Sequence, residues 1–279
     1  MLVRAILVAL TALTISTAQI QPGVKQSVDL SHDSIVHIVN QIQRADYEGD
    51  RAALKRLHDE LTPIPADNKL ASRVLYWRGF AMWRRAINGF NETPTPMDLE
   101  DDLTQAITDF KDSVARDPAF VEPKIGETSS LGYLMYLHST DQARVQDLLQ
   151  QLSPLLKEAM AADPDNPRLL WVLGPIRWSS PPDRGGGQAK AFELYNRGLH
   201  EIRKQKPPSD PLEPCWGEPE LLMNLAWSNL NRTTPDLKAA QEDAQAALRL
   251  VPYWHYVRDI LMPQIQAAQA KPGKPSASG

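Results

Sequence analysis

The chain has 279 residues, a formal net charge of −4, and 42% hydrophobic against 23% charged residues. That balance is that of a soluble globular protein with enough chain to bury a full core. It offers no basic field for nucleic acid, and with Cys215 as the only cysteine no intrachain disulfide forms.

Residues 1–18 differ from the rest. Arg4 precedes an apolar run over 5–15, and Ser16, Thr17 and Ala18 supply small residues for cleavage. This is the layout of a secretory signal peptide, too short for a transmembrane helix. The expected mature chain is exported, periplasmic or secreted, and has no integral membrane span. Residues 19–30 read as a linker, 31–266 as one helical domain, and 267–279, ending "KPGKPSASG", as a disordered tail.

Through the helical domain apolar residues recur at steps of three and four, without strand-like alternation. Pro118, Pro164 and Pro252 close the runs "DSVARDP", "KEAMAADP" and "AALRLVP", with Pro207-Pro208 between them. Counting back from the prolines, one pattern returns: Ala106, Phe110, Ser113; Leu152, Leu156, Ala159; Ala240, Ala244, Ala247. Ala53, Leu57, Glu60 and Pro65 repeat it, as do Ala191, Tyr195 and Gly198. Small residues at these steps let a second helix come close, and proline stops the helix. Upstream, "PRLLWVLG" and "PELLMNLA" are near copies that set Leu170, Leu173, Gly174 and Leu222, Leu225, Ala226 on one face. Leu75, Gly79 and Met82 fall in the same places, and so do Thr128, Leu131, Gly132 and Met135.

Together these helix pairs resemble the tetratricopeptide repeat (TPR). The resemblance implies an all-α fold: a right-handed α-α superhelix, a TPR-like solenoid of about five helix pairs. "YWHYVRDILMPQIQAAQA" would cap it at the C-terminus. The units exceed the family's usual length because "NGFNETPTPMD" and "SSPPDRGGGQ" stretch the loops within pairs, and Pro175 should kink a first helix.

Chemistry-bearing motifs are sparse. Gly185, Gly186 and Gly187 lead into Gln188-Ala189-Lys190, with no preceding strand and no hydroxyl where a phosphate loop places its magnesium ligand, so they read as a tight turn. The histidines His32, His37, His58, His138, His200 and His255 show no metal-ligand spacing, and Cys215 sits in the acidic, proline-rich "EPCWGEPE". No catalytic residue, cofactor or metal is expected.

The aromatic residues are more suggestive. Tyr76, Phe80 and Trp83 share one helix face, Tyr133 and Tyr136 form a similar pair, as do Trp171 and Trp178, and Trp227 stands on the last first helix. In the repeat register these map to the concave side, together with Arg73, Arg84 and Arg168. They would either line a groove that grips a partner or fill the inside of a tightly curled solenoid. The resemblance implies an adaptor that binds a protein or peptide through its concave face; with the signal-peptide layout and no catalytic constellation, the expectation is an exported adaptor without catalysis. The alternative is a periplasmic small-molecule-binding component associated with solute transport.

Overall fold

The structure is a computed structural model that describes residues 30–92 and 95–270. The expected signal peptide, most of the linker and residues 271–279 of the expected tail lie outside the described residues. Five antiparallel pairs follow in order: α1 (His32–Glu48) with α2 (Arg51–Glu60), α3 (Asn68–Gly89) with α4 (Pro96–Arg116), α5 (Glu122–Leu137) with α6 (Gln142–Ala162), α7 (Pro167–Ser179) with α8 (Gln188–Lys204), and α9 (Glu218–Asn231) with α10 (Leu237–Leu250). A π-helical stretch, Tyr256–Leu261, runs into α11 (Met262–Gln269), which continues past the boundary expected at 266. No strand occurs among the described residues.

The helix ends are written locally. Ser31, Asp50, Asp67, Asp141, Asn166 and Asp236 each accept a hydrogen bond from a backbone N–H in the first turn of the helix that follows. Thr95 and Asp98 form a reciprocal capping box on α4. Gly49 takes the left-handed conformation, φ 72°, that ends α1 and starts the turn to α2.

Within pairs, small residues seat large ones. A Cβ on Gly79 of α3 would lie 2.7 Å from the Phe110 ring of α4, and one on Gly174 of α7 would overlap the Tyr195 ring of α8. Both rings come from the A-x-x-x-aromatic pattern of the second helix. The register of α5 departs from the sequence expectation. Gly132, matched to Gly79 and Gly174, has nothing within 4 Å of its would-be Cβ, whereas Gly126 lies under Phe110 from the preceding pair.

The first helices pack side by side, α1 on α3, α3 on α5, α5 on α7 and α7 on α9, and form the inner layer. The second helices form the outer layer, where α2, α4 and α8 also bridge to the next first helix. The array curls until its ends meet. The Tyr47 hydroxyl of α1 donates to Glu220 Oε1 of α9 at 2.8 Å, and the Tyr47 and Trp254 rings stand edge to face at 5.1 Å. The inner face is therefore confined, and that geometry decides the fate of everything pointing into it.

Candidate functional site

Three arginines mark successive levels of the inner face, each held by carboxylates. Arg73 of α3 donates from Nη1 to Asp117 at 2.7 Å and from Nε to Glu213 at 2.8 Å, and its guanidinium lies 3.7 Å from the Phe120 ring centroid. Arg168 of α7 meets Glu122 of α5 in a two-bond fork, Nε to Oε2 at 2.8 Å and Nη2 to Oε1 at 2.7 Å. Asn166 steadies that carboxylate with a further hydrogen bond at 2.8 Å. Arg84 of α3 donates from Nε to Asp46 of α1 at 2.8 Å, and Asn88 also donates to Asp46.

The electrostatics of the Arg84 cluster follow from burial. Arg84, Asp46 and Glu220 are 3%, 2% and 1% exposed. Burial alone would lower the Arg84 pKa, but the Asp46 and Glu220 carboxylates outweigh it and hold the guanidinium above its ordinary value. Burial pushes Glu220 up, against the pull of Arg84 and the hydrogen bond from Tyr47. Around the guanidinium stand the rings of Phe80, Trp83, Trp171 and Trp216, with centroids 5.6–6.0 Å from its central carbon.

Trp216 was not anticipated here. It belongs to the connection between α8 and α9, residues 205–217, which carries no helix or strand between Gln205 and Gly217 and crosses the inner face. Leu212 is fully buried and Trp216 is 6% exposed. The Trp216 ring packs edge to face on Phe80, Trp83 and Trp171 at 5.4–5.9 Å, and its Nε1 donates to the Tyr76 hydroxyl at 2.9 Å. Trp77 Nε1 donates to the Leu212 carbonyl at 2.9 Å, and Arg168 Nη1 to the Trp216 carbonyl at 3.1 Å.

The groove expected from the sequence is thus filled by the chain itself. Tyr76, Phe80 and Trp83, each 1% exposed, and Trp171 at 6% are core, so no partner reaches their faces. Arg73, Arg84 and Arg168 are buried and engaged by carboxylates rather than offered to a partner. The correction has a physical cause: in a closed curl the inner face has no room for solvent, and large rings at the expected positions pack on one another. Nothing in the local pattern of "LEPCWG" signals that this loop completes the packing.

The remaining predicted residues lie elsewhere. Tyr133 is half-buried and Tyr136 is 68% exposed, both stacked near Phe90 at the C-terminal end of α5. Trp227, 36% exposed near the end of α9, packs on Trp178 of α7 at 5.4 Å, and Trp178 packs on Phe192 of α8 at 6.2 Å. Arg232 lies 5.8 Å from the Phe192 ring centroid. These aromatics share the rim formed by the C-terminal ends of the inner helices, as does Trp178; Phe192 and Arg232 belong to it although the sequence reading did not choose them.

The triple glycine is a turn. Gly185 and Gly187 have φ of 73° and 102°, a Cβ on Gly186 would overlap the Ser180 carbonyl, and the Gly187 N–H donates to the Arg177 carbonyl at 2.8 Å. Among the described residues no cluster of His, Cys, Asp and Glu is arranged to hold a metal ion, and no helix is long and apolar enough to cross a membrane.

No protein-family model matches the sequence, and no curated protein matches it. Among solved structures the chain is similar to a thermophilic TPR protein of Thermus thermophilus, at 19% identity and a TM-score of 0.49, over 86% of this chain and 99% of that one. It is also similar to the APC/C hetero-tetramer Cut9–Hcn1, at 16% identity and a TM-score of 0.37, over 89% of this chain and 52% of that one. The TPR-like arrangement itself rests on the five helix pairs and their small-on-aromatic seats.

Proposed function

We propose that this chain is an exported helical-repeat scaffold that binds a protein or peptide partner and performs no catalysis. The observation that carries the reading is the aromatic rim. Tyr136 and Trp227 stay exposed there, with Trp178, Phe192 and Arg232 behind Trp227, whereas Tyr76, Trp77, Phe80, Trp83 and Trp171 of the inner layer have found places in the core. Exposed tryptophan and tyrosine beside arginine is the composition of interface anchors. Export rests on the character of residues 1–18. The partner docks on the rim because residues 205–217 already occupy the concave face.

The test captures partners from an envelope fraction with the mature chain, then repeats the measurement with the purified captured protein and Tyr136→Ala and Trp227→Ala variants. Loss of a central aromatic anchor should weaken binding by roughly 30-fold, while melting stays within about 2–4 °C of the parent. Parental affinity in both variants would refute the rim as the docking surface.

A further inference from the structure

We propose that the rim is self-complementary and that the partner it fits is a second copy of this chain, in a two-fold dimer with the basic half of each rim on the acidic half of the other. The inference rests on the rim as the docking surface and names its occupant. The basic half surrounds the Trp178 and Trp227 rings. The Thr233 backbone N–H and hydroxyl both donate to Gln188 Oε1 at 3.2 Å, which ties the connection after α9 to the triple-glycine turn before α8. Arg177, Arg184 and Arg232 stand beside these two connections, Arg184 exposed and the other two half-buried. None of the three guanidiniums has a carboxylate or hydrogen-bond partner among the described residues, whereas surface arginines such as Arg44, Arg197 and Arg203 each hold a carboxylate. Asp183, exposed on the same turn as Arg184, offsets one of the three charges.

The acidic half lies on the same rim. Each second helix begins where its first helix ends, so the start of α4 stands at the same end of the molecule as the last turns of α3 and α5. Met97 is 71% exposed there, with Asp98 and Asp101 exposed beside it. One Asp98 oxygen accepts from the Thr95 N–H, and the Asp101 carboxylate has no partner among the described residues. Glu100 Oε1 lies 3.1 Å from His138 Nε2 at the end of α5, which joins this acidic start to the turn that carries the exposed Tyr136. Met97 and Tyr136 flanked by carboxylates match the Trp227 face flanked by guanidiniums: apolar surface meets apolar surface, and arginine forks meet carboxylates. A two-fold axis lying across the rim carries the acidic half of each copy onto the basic half of the other and makes both contacts at once. The rings suit a protein surface rather than a bilayer, because Trp178 and Phe192 are half-buried and form a shallow floor rather than a protruding wedge.

Sedimentation velocity on residues 19–279 over a concentration series should show a reversible monomer–dimer equilibrium that weakens as salt rises. Arg184→Glu and Asp101→Lys, both at exposed positions, should each weaken the dimer by roughly 10-fold or more, because two-fold symmetry places the altered charge in both contacts. An equimolar mixture of the two variants should recover association: the reversed basic half of one meets the reversed acidic half of the other, and the second contact is the native one. A single chain carrying both changes should recover it as well. Trp227→Ala should weaken the dimer by roughly 30-fold, as for loss of an aromatic anchor. A parent that stays monomeric up to roughly 1 mM, too weak for specific association, overturns the proposal. So does a mixture that associates no better than either variant alone. Reversals that leave the parental dimer intact overturn it too, because they put the dimer on another surface. If the parent is monomeric while Tyr136→Ala and Trp227→Ala still lose a captured envelope protein, the second copy falls as occupant and the rim reading stands.

Discussion

Truncating Trp83 separates the filled interior from an open groove. Trp83 is 1% exposed, and its ring meets Phe80, Phe110, Trp171 and Trp216 at centroid distances of 5.7–6.2 Å. Deleting a fully buried tryptophan leaves a cavity in a cluster whose members are themselves wedged, so the cost is about 3–5 kcal/mol. One feature moderates it: the Trp83 Nε1–H is buried without a hydrogen-bond partner, and removing an unsatisfied donor returns part of that cost. The lower half of the range is therefore expected for Trp83→Ala. For a domain of this size that is a fall in melting temperature of roughly 6–16 °C. Trp83→Phe, which keeps a ring and drops the N–H, should cost only about 1–2 kcal/mol. Urea unfolding and calorimetry on the two variants, beside Trp227→Ala as an exposed control expected to lose under about 1 kcal/mol, provide the measurement. A Trp83→Ala protein within about 1 kcal/mol of the parent would mean that the interior is not packed as described, and the argument for a filled concave face would fall with it.

Gly174→Ala should destabilise by about 1–3 kcal/mol in urea unfolding, since its Cβ enters the buried Tyr195 ring, whereas Gly132→Ala, with open space around it, should be neutral or slightly stabilising. Replacing Gly185, Gly186 and Gly187 together by alanine should cost roughly 2–4 kcal/mol, because two positive φ angles and a clash with the Ser180 carbonyl are forced at once. Arg84→Ala leaves the Asp46 and Glu220 carboxylates buried without their cation, a loss of about 3–5 kcal/mol at pH 7. That deficit should shrink as pH falls and Glu220, whose pKa burial already raises, takes up a proton, which a series of melts from pH 7 to pH 4.5 would reveal. Asp243 is pushed up to about 6 by burial, so the folded state binds its proton more tightly than the unfolded state and stability falls as pH climbs from about 4 through about 6. Asp243→Asn should remove that slope and, allowing for partial solvent screening, raise stability at pH 7 by about 1 kcal/mol. An unchanged pH profile in the variant would refute the assignment.

The helices and their pairing were legible because their determinants are local. Ser31, Asp67 and Thr95 cap the helices they precede, and the prolines end the runs they follow. The small-and-large alternation that seats Phe110 on Gly79 and Tyr195 on Gly174 repeats within a few turns of chain. A pattern at steps of three and four encodes which face is buried, and that is enough to specify stacked helix pairs. Such a pattern does not encode how far the stack curls. Gly126 rather than Gly132 as the close-packed glycine of α5 depends on how Phe110 tilts between two pairs, and the meeting of Tyr47 with Glu220 depends on the summed rotation of all five. The position of Trp216 is a still longer-range outcome: its partners Tyr76, Phe80 and Trp83 lie more than 130 residues away in sequence, and its own neighbourhood reads as an acidic, proline-rich loop. Residue chemistry alone identified the aromatics and arginines of the inner helices as a group. Whether that group faces a partner or faces itself was decided by the closure of the curl, because a confined face excludes water and is most stable when the chain fills it.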